Sequence, residues 1–201
     1  FSYGPVEVVN GMCLEMLAGE MLGIVGPNGS GKTTFLDLVT GTLKPHRGRI
    51  EVGGLSLGLM SPKERAKRVA MVPQNPVVPQ GFTALQVVLM GRNPHLGLLE
   101  WESSHDLEVA QKVMELTDTW KLAQRMVASL SGGERQRVFI ARSLAQETPI
   151  LLLDEPTAHL DIGYQSIILD LVRQIRLEMN VTVLVAMHDL SLAGQYCSRI
   201  A

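Results

Sequence analysis

Short unbroken apolar runs set the hydropathy pattern of this chain. Met21-Leu22-Gly23-Ile24-Val25, Val69-Ala70-Met71-Val72, Ile150-Leu151-Leu152-Leu153 and Thr182-Val183-Leu184-Val185-Ala186-Met187 carry no polar face. Such runs predict strands covered on both sides, as in a parallel sheet with helices above and below. From Glu7 to Met16 and from Gly48 to Val52 apolar and polar residues alternate instead, which predicts half-buried antiparallel strands. Between roughly residues 76 and 130 no buried strand is visible, and that stretch reads as helices and loops.

Helices are marked by period and by punctuation. Thr34 to Thr40 predicts one, closed by Gly41. Ser61-Pro62-Lys63-Glu64 opens another, with serine as N-cap, proline at the first position and glutamate three residues on. Thr83 and Gln86 form a second capping box; Leu85, Val88 and Leu89 share one face, and Gly91 is expected to end that helix. Leu107, Ala110 and Met114 mark an amphipathic helix. Val138, Ala141, Leu144 and Ala145 mark the next, and Ile168, Leu171, Val172 and Ile175 a third between two buried strands. The predicted class is α/β: a mostly parallel sheet, an antiparallel β part and an inserted helical subdomain. The α/β core takes residues 1–75 and 131–201, and the helical part 76–130. No internal repeat is visible.

Composition narrows the partners. At 201 residues the chain is a large single domain, able to bury roughly 70% of its unfolded surface. A net charge of −2 with a pI near 6.2 gives no electrostatic footprint for nucleic acid, and the basic cluster from Lys63 to Arg68 reads as a solvated helix face. Cys13 and Cys197, in segments that read as strand and helix, suit neither a metal site nor a disulfide framework, so a reducing cytoplasm is expected. No signal-peptide pattern is present. No apolar run approaches the roughly 18 residues that cross a bilayer, so any membrane role is expected to come through a partner.

Candidate chemistry sits at the loop ends of these elements. Gly26-Pro27-Asn28-Gly29-Ser30-Gly31-Lys32-Thr33, followed by Thr34, lies between a strand and a helix, the setting a phosphate-binding loop requires. Its glycines let the backbone wrap phosphates, Lys32 reaches the β and γ oxygens, and the Thr33 hydroxyl is placed to ligate Mg²⁺. Asp154 and Glu155 end a buried strand, on the edge where open α/β sheets bind ligands. There Asp154 would hold Mg²⁺ through its water shell and Glu155 would polarise an attacking water. Leu130-Ser131-Gly132-Gly133-Glu134 bares backbone N–H groups at a helix start and suits an anion. Taken singly, Ser131 is also an ordinary N-cap, and Asp154-Glu155 an acidic strand end facing solvent.

In this order and in one chain, the three motifs resemble the ATP-binding cassette family of ATPases, over nearly the whole sequence from Tyr3 to about Ile200. The resemblance implies a P-loop ATPase fold, with ATP and Mg²⁺ bound. Gln74 matches the loop glutamine that reads Mg²⁺ and the water. Asp161 matches a loop crossing a dimer interface, with His159 its solvated neighbour. His188 matches the switch histidine that contacts the γ-phosphate, and Tyr3 the aromatic that stacks on adenine. The plainer readings are a taskless loop residue for Gln74, a strand-end cap for His188 and surface packing for Tyr3. Ser131, Gly132, Gly133 and Glu134 would cover ATP held by a second, head-to-tail copy, so that ATP closes the dimer and hydrolysis opens it.

Gly91-Arg92-Asn93-Pro94-His95 resembles a stretch typical of ATPases serving importers of iron-siderophores, haem and cobalamin. That branch implies a membrane permease as partner, a substrate-binding protein indirectly, no nucleic acid, and a peripheral place on the cytoplasmic face of the membrane. The permease dock is expected between the Gln74 loop and the helical zone, with Met90, Arg92 and His95 near its rim and Phe82 and Leu85 offering apolar surface. Another ABC importer or exporter, a soluble ABC ATPase and a binding-only switch are the alternatives. Both chain ends read as cut within elements.

Overall fold

The four apolar runs become strands of one parallel sheet. The computed structural model describes residues 1–78, 80–97, 99–158 and 160–201, and Ile162 through its backbone alone; His159 therefore lies outside the described residues. A short antiparallel hairpin, β1 (Ser2–Tyr3) and β2 (Val6–Glu7), precedes β3 (Met21–Val25) and α1 (Lys32–Thr40). A second antiparallel pair, β4 (Glu51–Val52) and β5 (Leu55–Ser56), leads into α2 (Pro62–Ala66) and β6 (Val69–Val72). Then come α3 (Ala84–Leu89), α4 (Ser104–Leu116), α5 (Gly132–Leu144) and β7 (Ile150–Asp154). The order ends with α6 (Ile162–Met179), β8 (Thr182–Met187), α7 (Leu190–Tyr196) and β9 (Arg199–Ile200).

The sheet runs β6-β7-β8-β3-β9 with every neighbouring pair parallel. Alternate residues of a strand enter different cores. Leu151, Leu153, Val183, Val185 and Met187 join the large cluster shared with α3, α4, α5 and α6, while Leu152, Leu184 and Ala186 pack with Leu22, Ile24 and Leu36 on the other face. Both faces are covered, which is why these strands lack a polar stripe. Since all five strands run the same way, the loops after β3, β6, β7 and β8 emerge along one edge. The sheet thereby gathers side chains far apart in sequence.

Several local expectations give way to tertiary structure. Glu7 to Met16 is not a strand beyond β2: the chain bends at Gly11, and Leu14 and Met16 pack singly on the second cluster without a paired neighbour among the described residues. Its alternation records which side chains touch the core rather than a ladder. On α4 the buried stripe is Asp106, Val109, Ala110, Val113 and Met114, whereas Leu107 is 47% exposed. Gly91 does not end α3, which continues through a 3-10 turn over Met90–Arg92. A Cβ at Gly91 would fall 2.1 Å from the Arg142 carbonyl oxygen, so glycine is needed for α5 to approach. Cys13 is exposed and outside any strand, Cys197 follows the last turn of α7, and both are free thiols.

Candidate nucleotide site

The phosphate loop leaves β3 and turns into α1 through Gly31, whose φ is +92°. A side chain there would be strained and its Cβ would meet Val8 Cγ1 at 2.9 Å, so the turn demands glycine. Within the loop the Ser30 N–H donates to the Pro27 carbonyl. No side chain caps α1, leaving its first N–H groups as donors for an anion. Lys32 is buried, and its ammonium donates to the carbonyls of Gly26 at 2.8 Å and Pro27 at 3.0 Å. Thr34, in the same turn, is also buried.

β7 delivers the carboxylates. Asp154, its last residue, is 1% exposed. Thr33 Oγ1 donates to Asp154 Oδ2 at 2.8 Å, while Asp154 Oδ1 is buried with no hydrogen-bond partner. Burial pushes the Asp154 pKa up; Glu155 and Asp37 add to the rise, and Thr33 and Lys32 oppose it. Thr33 and Asp154 are thus the pair able to hold a metal. Among the described residues no group of three or more His, Cys, Asp or Glu side chains converges on one.

Glu155 follows with a φ of +44°, its N–H bound to the Ala186 carbonyl of β8. This left-handed residue turns the side chain to the loop edge. There Glu155 Oε1 lies 3.2 Å from Lys32 Nζ, and Oε2 accepts from Gln74 Nε2 at 2.8 Å. Lys32, Gln74 and Glu155, 123 residues apart at the extremes by number (155 − 32), share one hydrogen-bonded cluster. His188 stands exposed just beyond β8. Its neighbour Asp189 caps α7, its Oδ1 accepting from the Ser191 and Leu192 N–H groups.

Ser131 and Glu134 form a reciprocal capping box at the start of α5. Ser131 Oγ accepts the Glu134 N–H at 3.3 Å, and Glu134 Oε2 accepts the Ser131 N–H at 2.9 Å. These bonds lower the Glu134 pKa. Gly132 and Gly133 lie beside Leu160 and Tyr164, at the entry to α6, where Asp161 is the exposed N-cap residue with no side-chain cap bond. Among the described residues no hydrogen bond or ion pair joins Ser131–Glu134 or Asp161 to the phosphate loop. Tyr3 is 51% exposed and edge-on to Phe1, with ring centres 5.0 Å apart.

Arg92, expected near the rim of a dock, is buried rather than exposed. It is 2% exposed, 2.8 Å from Asp106 and 2.6 Å from Glu147, and it donates to the Ala145 carbonyl. Its charge is used inside the fold, tying α4 to the segment after α5. Hydrogen bonds from Ser103 and Arg92 hold the Asp106 carboxyl far below the usual range. His95 Nε2 lies 2.9 Å from the Gln146 carbonyl, and Met90 and Leu85 are half-buried. Of the expected apolar surface only Phe82, at 40%, remains exposed. Ser103 and Asp106 form a capping box that their spacing announces. The pairing of Asp106 and Glu147 with Arg92 had no local signal, since an ion pair between separate segments follows no spacing rule.

A parallel sheet with a phosphate loop, a buried aspartate and a glutamate at one edge defines a P-loop ATPase. Residues 9–158 match the family described as ABC transporter, and the chain belongs to that family, as one of its ATP-binding cassette ATPases. It is 42% identical to the ABC transporter ATP-binding protein YvrA of Bacillus subtilis over 97% of this chain and 44% of that one. With the petrobactin import ATP-binding protein FpuD of Bacillus anthracis it shares 39% identity over 99% of this chain and 73% of the relative. The hemin import ATP-binding protein HmuV of Myxococcus xanthus is 43% identical over 98% and 76%. The chain thus spans under half of YvrA and about three quarters of the other two.

Among solved structures, a metal-chelate type ABC transporter in an inward-facing conformation aligns with a TM-score of 0.81 and 35% identity, over 91% of this chain and 68% of that one. A dimeric post-hydrolysis state of the cassette MJ0796 bound to ADP and Pi aligns at 0.79 and 30%, over 93% and 82%. No described helix is long and apolar enough to cross a membrane.

Proposed function

We propose that this chain is the ATP-hydrolysing subunit of an ABC importer for a metal chelate of the iron-siderophore, haem or cobalamin kind. The observation that carries the chemistry is the convergence of Lys32, Gln74 and Glu155 beside the Thr33–Asp154 pair. The import assignment is supported by the relatives named for petrobactin and hemin and by the metal-chelate transporter.

In this reading Gly26 to Thr34 wrap the triphosphate, Tyr3 stacks on adenine, and Lys32 turns from the Gly26 and Pro27 carbonyls to the β and γ oxygens. The orphaned Asp154 Oδ1 next to the Thr33 hydroxyl fits Mg²⁺, with Thr33 as direct ligand and Asp154 and Gln74 acting through its waters. When bound, the ion neutralises charge on the transferred phosphoryl group. Release of Lys32 frees Glu155 Oε1 to accept a proton from the attacking water. His188 contacts the γ-phosphate. Ser131 and Gly133 donate to the nucleotide of a second, head-to-tail copy, with Glu134 holding that loop and Asp161 lying at the interface; the dimeric MJ0796 cassette supports that pairing.

ATP closes such a dimer, and hydrolysis opens it by adding charge repulsion and losing the bridging phosphate. The membrane is reached from its cytoplasmic face through a permease, and a substrate-binding protein supplies cargo to that permease. Reconstitution of the chain with its permease in liposomes tests the reading. ATP-dependent uptake of a haem, cobalamin or ferric siderophore, lost with Glu155→Gln, is the expected result. Turnover without uptake of any of the three would reject the cargo class.

A further inference from the structure

α1 carries one carboxylate that no role above uses. Asp37 lies four residues after Thr33, one helical turn along the same stripe. The helix packs over β6 and β7, and the Thr33 hydroxyl is already bonded to Asp154 at the end of β7. Asp37 is half-buried, and its side chain makes no hydrogen bond or ion pair among the described residues. Burial raises its pKa, and its charge is felt at Asp154. Such a group costs stability where it stands unless something positive joins it.

We infer that Asp37 is a positioning residue for the divalent cation of this site, a carboxylate that takes hydrogen bonds from the water shell of the ion held by Thr33 and Asp154. The inference rests on the nucleotide-site reading above. Two observations point to a ligand. Asp154, 1% exposed, keeps one oxygen buried and unpartnered beside Thr33. The local charge is also unbalanced: Lys32 pairs with Glu155 at 3.2 Å, while neither Asp154 nor Asp37 has an ion-pair partner among the described residues, leaving two carboxylates without a cation. A hydrated dication matches that excess. No three-carboxylate cage closes around a point, so Asp37 acts through water rather than as a direct ligand, in keeping with the waters Mg²⁺ retains in phosphate sites.

Electron paramagnetic resonance of Mn²⁺ added to the whole chain with saturating ADP tests this. Asp37→Asn, and Asp37→Ala as a second neutral variant should the amide fail to fold, are expected to raise the Mn²⁺ concentration at half-saturation by about two- to fivefold, the size of one partly screened charge interaction. Asp37→Glu should restore most of that affinity. ADP affinity in EDTA should be unchanged or tighter, and the nucleotide-free Asn variant should melt at a higher temperature because a like charge is gone. A Mn²⁺ titration of a folded neutral variant that overlays the parent's overturns the role of Asp37. A parent chain that takes up no Mn²⁺ with ADP overturns the nucleotide-site reading, and this inference with it.

Discussion

Glu155 is held between two donors, Lys32 on one oxygen and Gln74 on the other. Replacing it by glutamine keeps the shape but removes the proton acceptor. ATP should still bind and trap a closed dimer, seen as a shift to earlier elution in size-exclusion with MgATP, while turnover falls about 10²–10⁴-fold. Near-parent turnover would remove Glu155 from the chemistry. Arg92 calls for the opposite kind of test. Because it is buried among Asp106, Glu147 and the Ala145 carbonyl, Arg92→Ala leaves Asp106 buried without its cation. The expected loss is about 3–5 kcal/mol of stability, read as a lower urea midpoint. A midpoint within error of the parent's would show that the pair contributes nothing.

At the scale of elements, much of the fold was legible and the reason is physical. β3, β6, β7 and β8 are buried on both faces, so they appear as pure apolar runs; the capping boxes at Ser61 and Thr83 are local and announce themselves. What stayed hidden depends on neighbours. On α4 the inward stripe begins at Asp106, which pairs with Arg92, and Leu107 lies off that stripe. Gly91 reads as a helix stop until the Arg142 carbonyl is placed against it. Motif order marked out Lys32, Glu155 and Gln74, yet nothing in the spacing foretold that they bond one another.

The α4 network also fixes a pH response. The Asp106 carboxyl is held below its unfolded value, so its contribution is complete above about pH 4 and declines as pH falls toward its folded pKa. Asp106→Asn should therefore destabilise the chain at pH 7 and flatten the fall in urea midpoint below pH 4. An acid limb as steep as the parent's would mean other carboxylates set it. At α5, Ser131→Ala removes a cap and should cost about 1 kcal/mol in thermal or urea unfolding. That cost is separate from any loss of turnover in the dimer.

At the scale of the whole molecule, the phosphate loop and the Ser131 loop share no hydrogen bond or ion pair among the described residues, which makes complementation a direct test of the head-to-tail pairing. Lys32→Ala should lose nucleotide affinity, and Ser131→Arg should bind ATP as a monomer but fail to close. Mixed, the Ser131→Arg chain brings an intact phosphate loop and the Lys32→Ala chain an intact Ser131, so one composite site returns with measurable turnover. If Ser131→Arg weakens monomer binding as much as Lys32→Ala does, the loop serves its own chain.

The two cysteines offer a different use. Cys13 is exposed, whereas Cys197 sits partly covered behind α7, where burial pushes its thiol up to about 11. Thiolate is the reactive form, so a maleimide dye at neutral pH should attach once per folded chain, at Cys13, and a second time only as β9 and α7 peel away. The native sequence thus carries a fluorophore handle on the segment after β2 and, at its other end, a built-in clock for unfolding.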